Sequence, residues 1–592
     1  VPEYLAPGVY VEETSFRAKS IEGVGTSTTA FIGTSRKGPL ASDTELPEIL
    51  TSFADFERLY GGYANLAMTT AAGSADPLNY LAHAARAYFN EGGSRLYVAR
   101  VYRAPDGATG RAQSAHLGAT AETDANRIRF VARFPGAVGN GRVGVREIVA
   151  PAPAAVLNAA PVGSLARESA AAPFTYFIKA ADGWHQLDAG GTPAGAVTPV
   201  ADIDTSPRLI TLAVIATDAD DMATAIDDMG YDPRHPRYVG QVMAEAPARR
   251  ADAVENMYAL RLGTGVNARA LLDALFPAHA AAAPGDPRTN EHPLAGGADG
   301  REPEAADYDN GFRAFVKLED IAIVAAPGST AYAAGTAIQR ALISHAEGRR
   351  MYRIAVLDTA RGLNIGAARE ARAQVDSRYA AMYYPWVVVA NPNARPGNDL
   401  VPKEIALPPS GFVCGIYARN DIERGVFKAP ANEVVRAALR FEREISFGEQ
   451  EVLNPLGLNC LRYFAGRGYR VWGGRTISSD PEWKYVNVRR YFNYLEASID
   501  RSTQWAVFEP NGERLWANIR QTVASFLYNE WFNGALLGAK PEEAYFVKCD
   551  RSTMTQNDLD NGRLVCLVGV AALKPAEFVI FRIGQKTADA RQ

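Results

Sequence analysis

Both ends of this 592-residue chain read as apolar strands, and that constrains the fold more than any other feature. Near the start, Val9 and Val11 alternate with Tyr10 and Glu12, the period of a half-buried strand, and Pro7-Gly8 ahead of them breaks any helix. Near the end, Pro575 precedes Glu577-Phe578-Val579-Ile580-Phe581-Arg582-Ile583, rich in β-branched and aromatic residues. An apolar strand left unpaired at a chain end is an aggregation hazard, so each must add to a sheet. Two placements satisfy this: pairing within the same subunit, or β-augmentation, in which main-chain hydrogen bonds weld one subunit to the next. Sequence period does not separate them.

Between the ends, the length corresponds to about four units of roughly 150 residues each. From 23 to about 101, strand-like runs alternate with helical ones, notably 78–90, which stops at Glu91-Gly92-Gly93. From about 104 to 302 the composition shifts to Ala, Pro, Gly and Asp, with short strands expected at 128–134, 174–179 and 209–215, as in an inserted surface unit. Alternation then resumes: strand 321–325, helix 331–349, strand 352–357, helix 367–380, strand 386–390. That order predicts an α/β fold with a largely parallel sheet under helices. The proline-rich stretch 391–410 is long enough to suggest a contact role. Near 512–534, Leu515, Ile519, Val523, Phe526 and Leu527 recur at helical spacing.

Charge excludes one class of partner: 62 Lys+Arg against 66 Asp+Glu gives a net of −4, with no polyanion-binding surface. No run approaches the ~20 apolar residues of a membrane span, and the opening residues lack the pattern of a secretory signal. The four cysteines are too few and scattered to staple the chain, and read as small buried thiols. Catalytic signatures are absent: no HExxH, paired CxxC, GxxxxGK[ST] or GxSxG. The seven histidines form no i, i+4 pair, so no metal site is expected. Gly263-Thr264-Gly265-Val266-Asn267-Ala268 satisfies GxGxxA, but residues 257–262 ahead of it look helical, which favours a helix-to-helix turn over a dinucleotide site. No cofactor follows from any of this. Composition alone still permits a large soluble α/β hydrolase or oxidoreductase.

Longer strings carry a resemblance. Tyr4-Leu5-Ala6-Pro7-Gly8-Val9-Tyr10-Val11-Glu12-Glu13, the Lys37-Gly38-Pro39 turn, Phe134-Pro135-Gly136-Ala137-Val138-Gly139-Asn140 and Pro408-Pro409-Ser410-Gly411 are similar to segments of tail sheath proteins of contractile phage tails and related contractile injection systems. The most specific block is C-terminal: Trp483-Lys484-Tyr485-Val486-Asn487-Val488-Arg489-Arg490, Phe546-Val547-Lys548-Cys549-Asp550 and Lys574-Pro575-Ala576-Glu577-Phe578. The strings follow the family's order over about 1–105 and 310–586, and little of 106–302 matches.

The resemblance implies a structural, non-enzymatic subunit. Its copies would stack as hexameric rings around an inner tube and contract to drive that tube through a target envelope, with no nucleotide hydrolysis. It implies that the terminal strands are exchanged between neighbours through Val9, Tyr10, Val11 and Glu12 at one end and Phe578, Val579, Ile580, Phe581 and Arg582 at the other, with linkers at 13–19 and 571–575. Asn529, Glu530, Asn533 and Lys540 are the candidate inner-tube contacts. The implied partners are further copies of the chain, the inner tube protein, and baseplate and terminator or cap proteins, with no nucleic acid and no membrane insertion. Assembly in the bacterial cytoplasm follows, as part of a phage tail or of a released or cell-anchored particle. The expected multidomain sheath fold has an arm at 1–20, a core α/β body at 21–105 plus 303–459, an inserted outward-facing domain at 106–302, a C-terminal α+β domain at 460–573 and a second arm at 574–592.

Overall fold

The computed structural model describes residues 20–42, 46–70, 73–74, 78–168, 174–249, 253, 256–277 and 287–582. The N-terminal strand residues Val9, Tyr10, Val11 and Glu12 lie outside the described residues.

Short apolar runs buried on both faces make parallel strands that must be covered by helices, and the main sheet is built from such runs. Strand Thr29–Thr34 pairs in parallel with Leu96–Val101 on one side and with Ile323–Ala325 on the other, so the sheet closes across the intervening insert. Ile354–Asp358, Ala380–Tyr384 and Leu458–Phe464 extend it in parallel, and Ile49–Leu50, Gly468–Val471 and Glu433–Val434 finish its two edges antiparallel. Alternate residues feed opposite cores. Phe31, Ile354 and Val356 pack with helices Tyr80–Asn90 and Ser410–Glu423; Ala30, Ile32, Ala355 and Leu357 pack with Asp309–Val316 and Gly335–Ala346.

Three elements differ from the sequence expectation. The helix expected over 367–380 ends at Ala373, and Ala380–Tyr384, despite its Ala and Met, is a central strand because burial on both faces overrides propensity. Ser410–Glu423, to which the sequence assigns no element beyond the end of the 391–410 stretch, is a helix buried from Ser410 to Asn420. It packs against Tyr80–Asn90 so closely that a Cβ on Gly411 would sit 2.7 Å from Ala84 Cα. The expected domain edge at 459/460 falls inside Leu458–Phe464, which pairs with Ala380–Tyr384.

The insert is antiparallel. Its ten-residue strands Arg142–Pro151 and Arg208–Thr217 pair along their whole length, longer than the short strands expected there. The buried Glu147 accepts two bonds from Arg288, both at 3.0 Å. Residues 258–262 are a strand and not a helix, so the glycine motif joins strand Tyr258–Leu262 to helix Ala268–Leu275. That is the order a dinucleotide site needs, yet the space is taken: a Cβ on Gly263 would lie 2.3 Å from the Asp124 carbonyl oxygen.

The C-terminal unit packs helices Val486–Ser502 and Glu513–Phe532 with the hairpin Tyr545–Lys548/Leu567–Val570. Leu515, Ile519, Val523, Phe526 and Leu527 are all buried there, as their spacing predicts. Cys414, Cys460 and Cys549 are buried free thiols, while Cys566 is half-buried.

Candidate assembly surfaces

Helix Val486–Ser502 opens with Val-Asn-Val-Arg-Arg, and those polar residues are buried: Asn487 Nδ2 donates to the Phe427 carbonyl at 2.8 Å, and Arg489 Nε donates to Asn493 Oδ1 of its own helix at 2.9 Å. Arg490 Nη1 donates to Asp421 Oδ1 at 2.8 Å, both side chains being almost fully buried, and Arg490 Nη2 donates to the Thr26 carbonyl at 3.1 Å. Burial holds the Asp421 carboxyl above its ordinary range, against the pull of Arg490. Lower down, Asn493 Nδ2 donates to the Arg353 carbonyl (3.1 Å), and Arg350 grips Asp500 through Nε and Nη2 at 2.9 and 3.0 Å. The buried Arg490 and Asn493 contacts, with the more exposed Arg350–Asp500 pair at the rim, fasten the C-terminal unit to the α/β body.

The chain end behaves differently. After Leu567–Val570 the segment 573–582 has no regular secondary structure and joins no described strand. Phe578, Val579, Ile580 and Phe581 are 69 to 83% exposed, four successive apolar side chains in solvent; Arg582 is exposed beside them. Glu577, one residue earlier, turns back to the body. It accepts from Arg475 Nε and Nη2 at 2.8 and 2.6 Å, Asn454 Nδ2 at 2.7 Å and Tyr485 Oη at 3.0 Å. Burial raises the Glu577 carboxyl, but Arg475 and Asn454 outweigh it and hold it below the usual range. A groove of about 1280 Å³ runs between Phe578, Val579 and Ile580 on one side and Phe447, Gln450 and Trp472 on the other.

Two more apolar surfaces lie on the C-terminal unit. The hairpin Tyr545–Lys548/Leu567–Val570 has only two strands and exposes Phe546, Leu567 and Val568. At the exit of Glu513–Phe532, Tyr528 stacks on Phe532 with ring centroids 6.5 Å apart, and both are exposed with Leu537. Asn529, Asn533 and Lys540 flank them and are exposed. Glu530 is not: it accepts from Tyr491 Oη (3.1 Å) and Tyr494 Oη (2.9 Å), and burial raises its carboxyl against those bonds. The sequence reading of this helix exit names only its polar residues, and Tyr528, Phe532 and Leu537 are not among them. Among the described residues, no group of three or more His, Cys, Asp or Glu could hold a metal ion, and no helix is long and apolar enough to cross a membrane.

Residues 301–477 match the family model of the phage tail sheath protein central domain, and 478–586 that of the phage tail sheath C-terminal domain. A putative prophage major tail sheath protein of Pseudomonas aeruginosa (strain UCBPP-PA14) is 24% identical over 180 residues, 30% of this chain and 45% of that protein. The chain spans less than half the length of the curated relatives it matches. In fold it is similar to the helical sheath of the anti-feeding prophage in its contracted state, with a TM-score of 0.52 and 21% identity over 99% of this chain and 100% of that one. It is likewise similar to the sheath of an extracellular contractile injection system in its contracted state, with a TM-score of 0.50 and 19% identity over 99% of both chains.

Proposed function

For a chain that belongs to the tail sheath proteins, structural subunits of contractile phage tails and tail-like particles and not enzymes, we propose a role as the repeating, contracting unit of such a sheath. Copies stack as hexameric rings around an inner tube and contract to drive it through a target envelope. Neighbours are joined by exchanged strands, Val9 to Glu12 from one end and Phe578 to Arg582 from the other. The observation that carries this reading is the run Phe578 to Phe581, whose apolar side chains and strand-forming composition find no ladder among the described residues. Strand addition supplies directional main-chain bonds able to persist while the bodies rotate.

On this reading the body is 21–105 with 303–477, the insert 106–302 lies outward, the C-terminal domain is 478–573, and the arms are 1–20 and 574–592. The inner edge of the body moves from 459 to 477 because Leu458–Phe464 and Gly468–Val471 belong to the main sheet. Asn529, Asn533 and Lys540, set around Tyr528, Phe532 and Leu537, face the inner tube; Glu530 supports them from inside through its tyrosines. Baseplate and terminator proteins bind the ends of the sheath, and assembly takes place in the bacterial cytoplasm.

Electron microscopy of the purified chain tests the reading. The full chain forms six-fold helical tubes, and a chain lacking residues 1–13 does not. Normal tubes from the truncated chain would sink strand exchange.

A further inference from the structure

Joining copies through a C-terminal arm requires a point where the arm starts. The sequence suggests a free linker at 571–575, but its first residues are fastened. The Ala571 N–H donates to the Ala544 carbonyl at 2.8 Å, the Leu537 N–H donates to the Ala571 carbonyl at 2.8 Å, and the buried Asn487 donates through Nδ2 to the Leu573 carbonyl at 3.0 Å. Glu577 then meets Arg475, Asn454 and Tyr485, and from Phe578 to Arg582 every residue is exposed. The body's hold therefore ends within one residue.

The grip is built in advance. Arg475 is 6% exposed and donates through Nη1 to the Asn454 carbonyl at 2.9 Å, so its guanidinium is already oriented when it takes the carboxylate through two parallel bonds. Asn454 follows helix Phe447–Leu453, and Tyr485 precedes helix Val486–Ser502, so the carboxylate is held from both the α/β body and the C-terminal unit. A fork of this kind fixes direction as well as position.

We infer that Glu577 is a positioning residue whose carboxylate sets where, and in which direction, the C-terminal arm leaves the body, so that residues 578–582 reach a second copy as a short aimed strand. The inference rests on the proposed arm exchange and adds its pivot. A segment held in its docking direction loses less conformational freedom on binding than a loose tail.

Chymotrypsin digestion of the full chain, kept dilute and unassembled, reads the latch. Cleavage after Phe578 requires the protease to hold Glu577, whereas cleavage after Phe581 lies clear of it. In Glu577→Ala, cleavage after Phe578 accelerates about tenfold while cleavage after Phe581 stays within about twofold, because only the first needs local release. Arg475→Lys, which keeps the charge and loses the fork, falls between, and Glu577→Gln repeats the test in a side chain of the same shape. Equal rates after Phe578 in the wild type and all three variants overturn the inference, as does an acceleration shared by every site.

Assembly separates this inference from the reading beneath it. Glu577→Ala raises the concentration needed for tubes by about tenfold, and a chain ending at Glu577 forms none. Tubes from the shortened chain would sink arm exchange and the pivot role with it. Loss of tubes in the shortened chain with wild-type behaviour of Glu577→Ala would sink the pivot alone.

Discussion

Strand Ala380–Tyr384 and the segment Phe578 to Phe581 use the same kind of residue to opposite ends. The first is at most 1% exposed, sandwiched between neighbours on both sides and helices on both faces; the second is 69 to 83% exposed and pairs with nothing described. Burial of a large apolar side chain is worth about 1.5 to 3 kcal/mol, so the inner strand stabilises its own subunit while the outer one contributes almost nothing to it. On the proposed exchange, the stabilisation available from the outer segment goes to another chain.

That contrast can be broken at several points. The largest effect is expected at the fastening of the rigid part: Arg490→Ala leaves Asp421 buried beside no cation, and equilibrium urea unfolding should show a loss of about 3 to 5 kcal/mol. Next is the main sheet's buried carboxyl. Asp358 Oδ1 accepts from the Ser410 N–H at 2.7 Å and Oδ2 from Ser410 Oγ at 2.6 Å, and burial pushes its pKa up to about 7 against those bonds. The folded state therefore binds this proton more tightly than the unfolded one. The stability it contributes is full below about pH 4 and is lost as pH rises through about 7, a span of roughly 2 to 4 kcal/mol. Asp358→Asn should flatten that slope in unfolding curves at pH 4.5 and 7.5. The smallest effect on the subunit belongs to the arm: Ile580→Ala should leave unfolding within about 0.5 kcal/mol of wild type. Ile580→Asp should do the same while abolishing tubes in electron micrographs, and a marked fall in subunit stability would show that the segment belongs to its own core.

What could be read from the sequence followed the periodicity of surfaces. Helix Glu513–Phe532 has one wet face, so Leu515, Ile519, Val523, Phe526 and Leu527 announce it. Helix Ser410–Glu423 is buried on all sides from Ser410 to Asn420 and holds glycines where a neighbouring helix comes close, so no stripe marks it. Residues 381–384, left between a helix and a strand by the sequence, and 258–262, which look helical, are both strands for a related reason: short buried segments carry too few residues to separate a period of two from one of 3.6. The terminal segment reads as a strand from its composition, whereas in the structure Phe578 to Phe581 are exposed and have no regular secondary structure. The clamp on Glu577 was not legible, because Asn454, Arg475 and Tyr485 come from distant parts of the chain and meet only in the fold. Glu530, placed by sequence among outward contacts, turns in because Tyr491 and Tyr494 lie one helix away.

The insert leaves and re-enters the body at one narrow neck, where the Arg301 N–H donates to the Arg103 carbonyl at 2.9 Å and the Thr69 N–H to the Gly300 carbonyl at 3.1 Å. Parallel pairing of Thr29–Thr34 with Ile323–Ala325 would otherwise have to close a loop that includes roughly 200 insert residues, a slow, non-local step. Once the antiparallel ladder of the insert has formed and drawn its two ends together, that span shrinks to the neck. The timing of synthesis favours this order, since the insert emerges before the second half of the main sheet exists to be paired.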